Sequence, residues 1–229
     1  MIRAILFDAD NTLYATKEIA KSCDIKAMEY FSKQTDKNPK ELYALFQSIV
    51  ERIKDSKIPF ERTRRYSYGL LARQLNIPQE QVEQAYRIFF DAVLANILLI
   101  GGAKQFLAFA KSLDIKIGIV TEDDEELALA KFKKFRLIDY VGVLITPKRA
   151  GTMKPSATYF LQAQEELRVK PEECLVVGDN YERDLKLPQG MGAMVVLFGN
   201  QDSGADYCVY SFTELQALLE KLNRTFKNL

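Results

Sequence analysis

Residues 1–14 read MIRAILFDADNTLY. The apolar run Ala4-Ile5-Leu6-Phe7 has the length and composition of a fully buried strand, and it leads directly into Asp8 and Asp10, then Asn11 and Thr12. Two carboxylates one residue apart at a strand end have two explanations. They form a polar turn or cap, as aspartate after a strand often does, or they are placed there for chemistry. The D-x-D spacing alone does not choose between these.

Beyond this stretch the pattern changes twice. From Thr16 to Ile97 the chain carries long segments of helical period, KEIAKSCDIKAMEYFSKQ, PKELYALFQSIVERIKDS, RRYSYGLLARQLN and PQEQVEQAYRIFFDAVLAN. Pro39 and Pro78 stand at expected first helical turns. No strand signal interrupts this region, which reads as an all-helical insert, 16–97. Its apolar stripe Tyr86, Phe89, Phe90 and Val93 is expected in the insert's own core. After LLIGG, strands alternate with helices: IKIGIVT, YVGVLIT, CLVVGD and AMVVLF are the expected strands, with YCVYS a further candidate and FTELQALLEKL a closing helix. Alternation of this kind predicts right-handed βαβ units and a parallel sheet covered on both faces. The expected fold is therefore α/β, a doubly wound parallel sheet of Rossmann-like type (1–15 and 98–229) interrupted by the helical insert.

Composition narrows the chemistry. Lys and Arg total 32 against 31 Asp and Glu, so no global field favours nucleic acid or an anionic membrane. The three cysteines, Cys23, Cys174 and Cys208, are scattered and odd in number, which suits a reducing compartment. No apolar stretch has membrane-spanning length, and a strand expected from Ile2 leaves no room for a signal peptide. The expectation is a cytoplasmic protein with no nucleic-acid or membrane partner; the oligomeric state is not readable. There is no histidine, which excludes Ser-His-Asp and Cys-His triads and any histidine base.

In an open parallel sheet, ligands bind beyond the carboxyl ends of the strands. Three expected strands end on suggestive residues: Asp8 and Asp10, then Thr121, then Gly178-Asp179-Asn180 with Asp184 about one helical turn further. Lys154 lies between the last two, in GTMKPS. Each residue singly is explained by a turn, a cap or a solvated side chain; the ordered set on one sheet edge is not. It resembles the haloacid dehalogenase-like hydrolase superfamily. Asp8-Ala9-Asp10-Asn11-Thr12 matches that family's D-x-D-x-T, Thr121 its strand-ending Ser/Thr, Lys154-Pro155 its Lys-Pro, and Gly178-Asp179 through Asp184 its G-D-x-x-x-x-D. The insert falls where the family carries its C1 cap.

The resemblance implies a Mg²⁺-dependent phosphatase acting on a small phosphate ester through an aspartyl-phosphate. Asp8 is then the nucleophile and Asp10 the general acid and base. Asp8, the Asp10 carbonyl and Asp179 hold the metal, with Asp184 a further or alternative ligand. Lys154 neutralises the transferring group, and Thr121, Glu122 and Asn11 are assigned to the phosphate's surroundings. The family rivals are a dehalogenase, which the second aspartate and Asp179 oppose, and a phosphomutase; a non-catalytic binding member stands outside these.

Two departures from the family pattern remain. Glu122-Asp123-Asp124-Glu125 follows Thr121 where relatives often have Asn, and these acids also suit the first turn of a helix. Lys148 and Arg149 occupy a stretch often acidic in relatives, making Lys148 a rival for Lys154. In the insert, FERTRRYSYG places Arg62, Arg64 and Arg65 beside Tyr66 and Tyr68. This reads either as a patch for a second anionic group or an aromatic base of the substrate, or as a solvated basic face. Tyr14 and Glu18 are candidates to line the entrance.

Overall fold

Strand β1 (Ala4–Phe7) holds the centre of the sheet because all four of its side chains are apolar and all four are buried. The computed structural model describes residues 1–199 and 204–227. After β1 the chain makes the short strand β2 (Tyr14–Ala15) and enters helices α1 (Lys17–Ser32), α2 (Pro39–Ile53), α3 (Arg64–Gln74) and α4 (Glu80–Asn96). It leaves through β3 (Leu98–Leu99), which pairs antiparallel with β2. Two-residue strands carry no period, so sequence alone gave no sign of this stalk. Asn38 caps α2 with a full capping box and Thr63 caps α3, each accepting from amides of the first turn.

The alternating half follows: α5 (Ala103–Ser112), β4 (Lys116–Val120), α6 (Glu125–Phe135), β5 (Val143–Ile145), α7 (Pro147–Ala150), α8 (Ala157–Leu167) and β6 (Cys174–Gly178). Then come α9 (Lys186–Gly190), β7 (Met194–Phe198), β8 (Tyr207–Val209) and α10 (Phe212–Lys227). Among the described residues the main sheet has the order β5-β4-β1-β6-β7-β8, parallel throughout. Side chains alternate across it. Ile5 and Phe7 face α5 and α10, where Phe7 packs on Phe106 and Phe212. Leu6 and Val176 face the other way, in a core with Tyr159 and Phe160 of α8.

The expected helix ERDLKLPQGM is in fact two pieces, a π-helical turn over Tyr181–Leu185 and then α9. Asn180 caps the turn by accepting from the Arg183 amide. Among the described residues no helix is long and apolar enough to cross a membrane.

The register sets the site. Phe7 pairs with Ile119 on one side and Val177 on the other, so Asp8, Thr121 and Asp179 emerge together at the carboxyl edge. The chain runs from β1 through β4 to β5, then crosses to β6, and β1 therefore sits at the switch point where such sheets open a crevice.

Gly118 lets β4 lie this close. A Cβ there would stand 2.5 Å from Leu6 Cδ2 and 2.9 Å from Val143 Cγ1. Gly118→Ala is expected to lower the unfolding free energy by about 1–3 kcal/mol, the cost of overpacking a filled core. The readout is a lower urea midpoint at unchanged slope; an unchanged midpoint would mean that the flanking side chains yield freely.

Candidate active site

Three carboxylates come together at the carboxyl edge: one oxygen from each of Asp8, Asp179 and Asp184 lies within 4.8 Å of the others. Asp184 arrives because the π-helical turn folds back over Gly178, where a Cβ would stand 2.8 Å from the Asp184 Cβ. Asp8 and Asp184 are nearly sealed from solvent. Such a gathering of anions stands only if cations balance it. Lys154 Nζ donates to Asp8 Oδ1 at 2.7 Å and to Asp184 Oδ1 at 2.9 Å. Arg183 reaches Asp179 Oδ1 at 3.0 Å and Asp184 Oδ2 at 3.2 Å.

The protonation preferences follow. Burial, and then Asp184, push the Asp8 carboxyl up to about 8 against the pull of Lys154. At Asp184 burial is outweighed by Lys154 and Arg183, which hold it below the usual carboxylate range. Burial works against the Lys154 ammonium, yet Asp184 and Asp8 keep it firmly charged. Asp8 Oδ2 is buried and has no hydrogen-bond partner. An orphaned carboxylate oxygen beside two further carboxylates is a donor set of the kind that hard divalent cations take.

Asp10 lies outside the carboxylate cluster and is held by a different cation. Its Oδ1 accepts from Lys131 Nζ at 2.7 Å, and the same ammonium donates to Asp123 Oδ2 at 2.7 Å. Burial, and then Asp10, raise Asp123 to about 7, with Lys131 opposing. Thr121 is buried at the end of β4, and its hydroxyl accepts from the Asp123 amide. Asn11, at φ 60°, accepts from the Lys17 amide and the Thr16 hydroxyl through Oδ1 and lies beside Asp179, where it favours the ionised carboxylate. It ties the start of α1 to the carboxylate cluster.

Several expected residues have other partners. Glu122, assigned to the phosphate's surroundings, accepts from Arg62 at 3.1 Å and from the Lys154 amide at 3.2 Å. As an anion already held by a guanidinium it links the insert to the Lys154 loop. The three arginines separate. Arg62 reaches the site, also donating to the Lys154 carbonyl at 2.9 Å. Arg64 turns into the insert, bonded to Asp24 at 2.9 Å and flanked by Phe46 and Phe89. Arg65 lies over the Tyr86 ring and pairs with Glu83 and Glu126. Lys148 is exposed and pairs with Glu125 at 3.6 Å, away from Asp8. Tyr14, a candidate for the entrance, is fully buried against Phe132 and Phe135.

Lys131, Asp123 and Arg183 were not singled out from sequence. For Lys131 a signal existed: it follows Leu127 by one helical turn, on the face that α6 buries. Between the insert and the sheet edge lies a cleft of about 450 Å³, bounded by Asp10, Asn11, Asp179 and Arg183 below and by Lys17, Arg62, Arg64, Tyr86, Phe89 and Val93 above.

The sequence model of the haloacid dehalogenase-like hydrolases matches residues 2–192. The glyceraldehyde 3-phosphate phosphatase of Methanopyrus kandleri is 26% identical over 86% of this chain and 83% of its own. The ribulose-1,5-bisphosphate 5-phosphatase of Halopiger xanaduensis is 27% identical over 86% and 85%. Among solved structures, a HAD phosphatase from Thermococcus onnurineus superposes with a TM-score of 0.80 at 24% identity, covering 95% of this chain and 98% of that one.

Removing the central cation leaves Asp8 without its partner and Asp184 with Arg183 alone. Lys154→Met is expected to cost the metal-free protein about 3–5 kcal/mol at neutral pH, the usual penalty for breaking a buried pair. Denaturant unfolding without divalent ions tests it; native-like stability would mean that Lys154 does not balance Asp8 and Asp184.

Proposed function

The chain belongs to the haloacid dehalogenase-like hydrolases and is a phosphoric-monoester hydrolase, and from that premise we propose a Mg²⁺-dependent phosphatase that hydrolyses a small phosphorylated metabolite through an aspartyl-phosphate. The observation that carries this reading is Asp8. It sits at the centre of a carboxylate cluster, with one oxygen on Lys154 and the other buried without a partner.

Asp8, Asp179 and Asp184, with the backbone carbonyl of Asp10, would hold the cation. When bound, it neutralises charge between Asp8 and the phosphoryl oxygens. Lys154 keeps Asp8 oriented and places a fixed positive charge where negative charge gathers. The Asp8 carboxylate attacks phosphorus as the ester oxygen departs, and Asp10 supplies that oxygen's proton. Asp10, now ionised, takes a proton from the water that cleaves the aspartyl-phosphate and regenerates Asp8. Thr121, whose hydroxyl proton is not committed to Asp123, donates to a phosphoryl oxygen. Asn11 positions Asp179, while Glu122 and Arg62 close the insert, residues 16–97, over the site as a cap. The cleft of about 450 Å³ suits a sugar-sized leaving group. Two relatives are named for phosphorylated sugars, which makes triose and pentose phosphates the first esters to try.

Phosphate release from a panel of monoesters is expected with Mg²⁺ and is lost on chelation. Asp8→Asn is expected to abolish release, and Asp10→Asn to lower it by about 10²–10⁴-fold, the usual weight of general acid–base help. Release that survives Asp8→Asn would remove the covalent route. A panel that gives only isomerised sugar phosphates, without free phosphate, would favour a mutase.

A further inference from the structure

Helix α6 buries Leu127, Ala128 and Phe132, and one charged residue shares that face. Lys131 is 2% exposed. Moving an ammonium out of water is costly, and an apolar side chain of similar length generally packs there as well or better. Packing alone gives no reason for a cation at this position. The carboxylate cluster gives none either, since Lys154 and Arg183 already serve it.

What Lys131 does hold is Asp10. The Asp10 side chain is 35% exposed, and among the described residues its one side-chain hydrogen bond is to Lys131. The ammonium is itself fixed by Asp123 at 2.7 Å and by the Tyr14 ring at 5.8 Å. Tyr14 is in turn locked between Phe132 and Phe135 of the same helix. A half-exposed carboxyl at a chain turn is thus aimed by a side chain that has little freedom of its own.

We propose that Lys131 is a positioning residue for phosphoryl transfer, fixing the Asp10 carboxyl for proton delivery to the leaving oxygen, with Asp123 anchoring the ammonium and balancing its charge. This rests on Asp10 being the proton donor. As the Asp8 Oδ–P bond forms and the ester P–O bond breaks, the leaving oxygen takes the Asp10 proton. The carboxylate recovers a proton from the water that attacks the aspartyl-phosphate. When Asp123 is ionised it compensates Lys131, and the ammonium directs Asp10 without presenting it with an unbalanced positive charge.

The test compares kcat/KM for two esters on one preparation: an alkyl phosphate that the native enzyme hydrolyses, and p-nitrophenyl phosphate. The nitrophenolate departs without needing a proton, so loss of the donor's aim should fall on the alkyl ester. Lys131→Met is expected to lower kcat/KM for the alkyl ester by about 10–100-fold, the scale of a small misplacement of a catalytic group, with little loss on the aryl ester. Lys131→Arg, which keeps the cation, should recover part of it. The ratio of the two esters does not depend on the fraction folded; if Lys131→Met is too weak to measure, Asp123→Asn and Lys131→Arg give the same ratio. Equal losses on both esters, or none, overturn the role of Lys131. If Asp10→Asn is also unselective, the assignment of Asp10 as donor fails with it; if Asp10→Asn is selective and the Lys131 variants are not, the positioning role alone fails.

Discussion

Crowding three carboxylates within 4.8 Å of one another is the constraint to which the rest of the site answers. Like charges at that range, in a region closed to solvent, repel strongly unless the fold brings cations to them. The cations come from two places: Lys154 from the loop before α8, Arg183 from the turn that also carries Asp184. The turn has to fold back over β6 for Asp184 to arrive, and this is why Gly178 has no room for a side chain. The glycine in G-D-x-x-x-x-D is therefore a packing requirement of the second aspartate, and the unusual π-helical turn is its backbone counterpart.

The sheet register and the stalk translate this local need into architecture. Pairing of Phe7 with both Ile119 and Val177 brings the three strand ends level. The paired β2 and β3 hold the entry and exit of the helical insert together a few residues beyond Asp10. The insert is seated at two places: on the loop before α8, through Lys57 and Arg62, and on the start of α6, where Tyr86 donates to Asp124 and both Arg65 and Arg87 pair with Glu126. Helix α6 thus carries docking acids at its start and Lys131 between one and two turns further along, so one element joins a seat of the insert to the partner of Asp10.

The sheet, the insert and the ordered set Asp8, Asp10, Thr121, Lys154, Asp179 and Asp184 were legible because each lies at a place that period and motif identify, a strand end or a short spacing. The partners that balance them were less so. Arg183 sits inside a motif at a position without a type requirement, and Asp123 looked like one of four acids opening a helix. Lys131 was marked by its phase on α6, yet the run K-F-K-K-F suggests a solvated basic face unless that phase is traced residue by residue. The arginines of FERTRRYSYG show the same limit. Composition presents three equal cations, whereas Thr63 capping α3 sets their directions: Arg62 before the cap toward the sheet edge, Arg64 inward to Asp24 with Tyr68 one turn later, Arg65 outward.

Charge in the cleft is close to balanced before any ester enters. Its lining carries the acids Asp10, Glu122, Asp123, Asp124 and Asp179 against the bases Lys17, Arg62, Arg64, Lys131 and Arg183. Behind it, Asp8 and Asp184 add two acids and Lys154 one base, with Arg183 of the lining also bonded to Asp184, so the ionised set carries one net negative charge. Most of the bases are already committed to an acid at hydrogen-bond distance, so they cannot turn to a new anion without exposing an old one. A phosphate dianion entering this space needs positive charge that the side chains do not supply. The orphaned oxygen of Asp8 marks a place where a divalent cation would supply charge of the right sign.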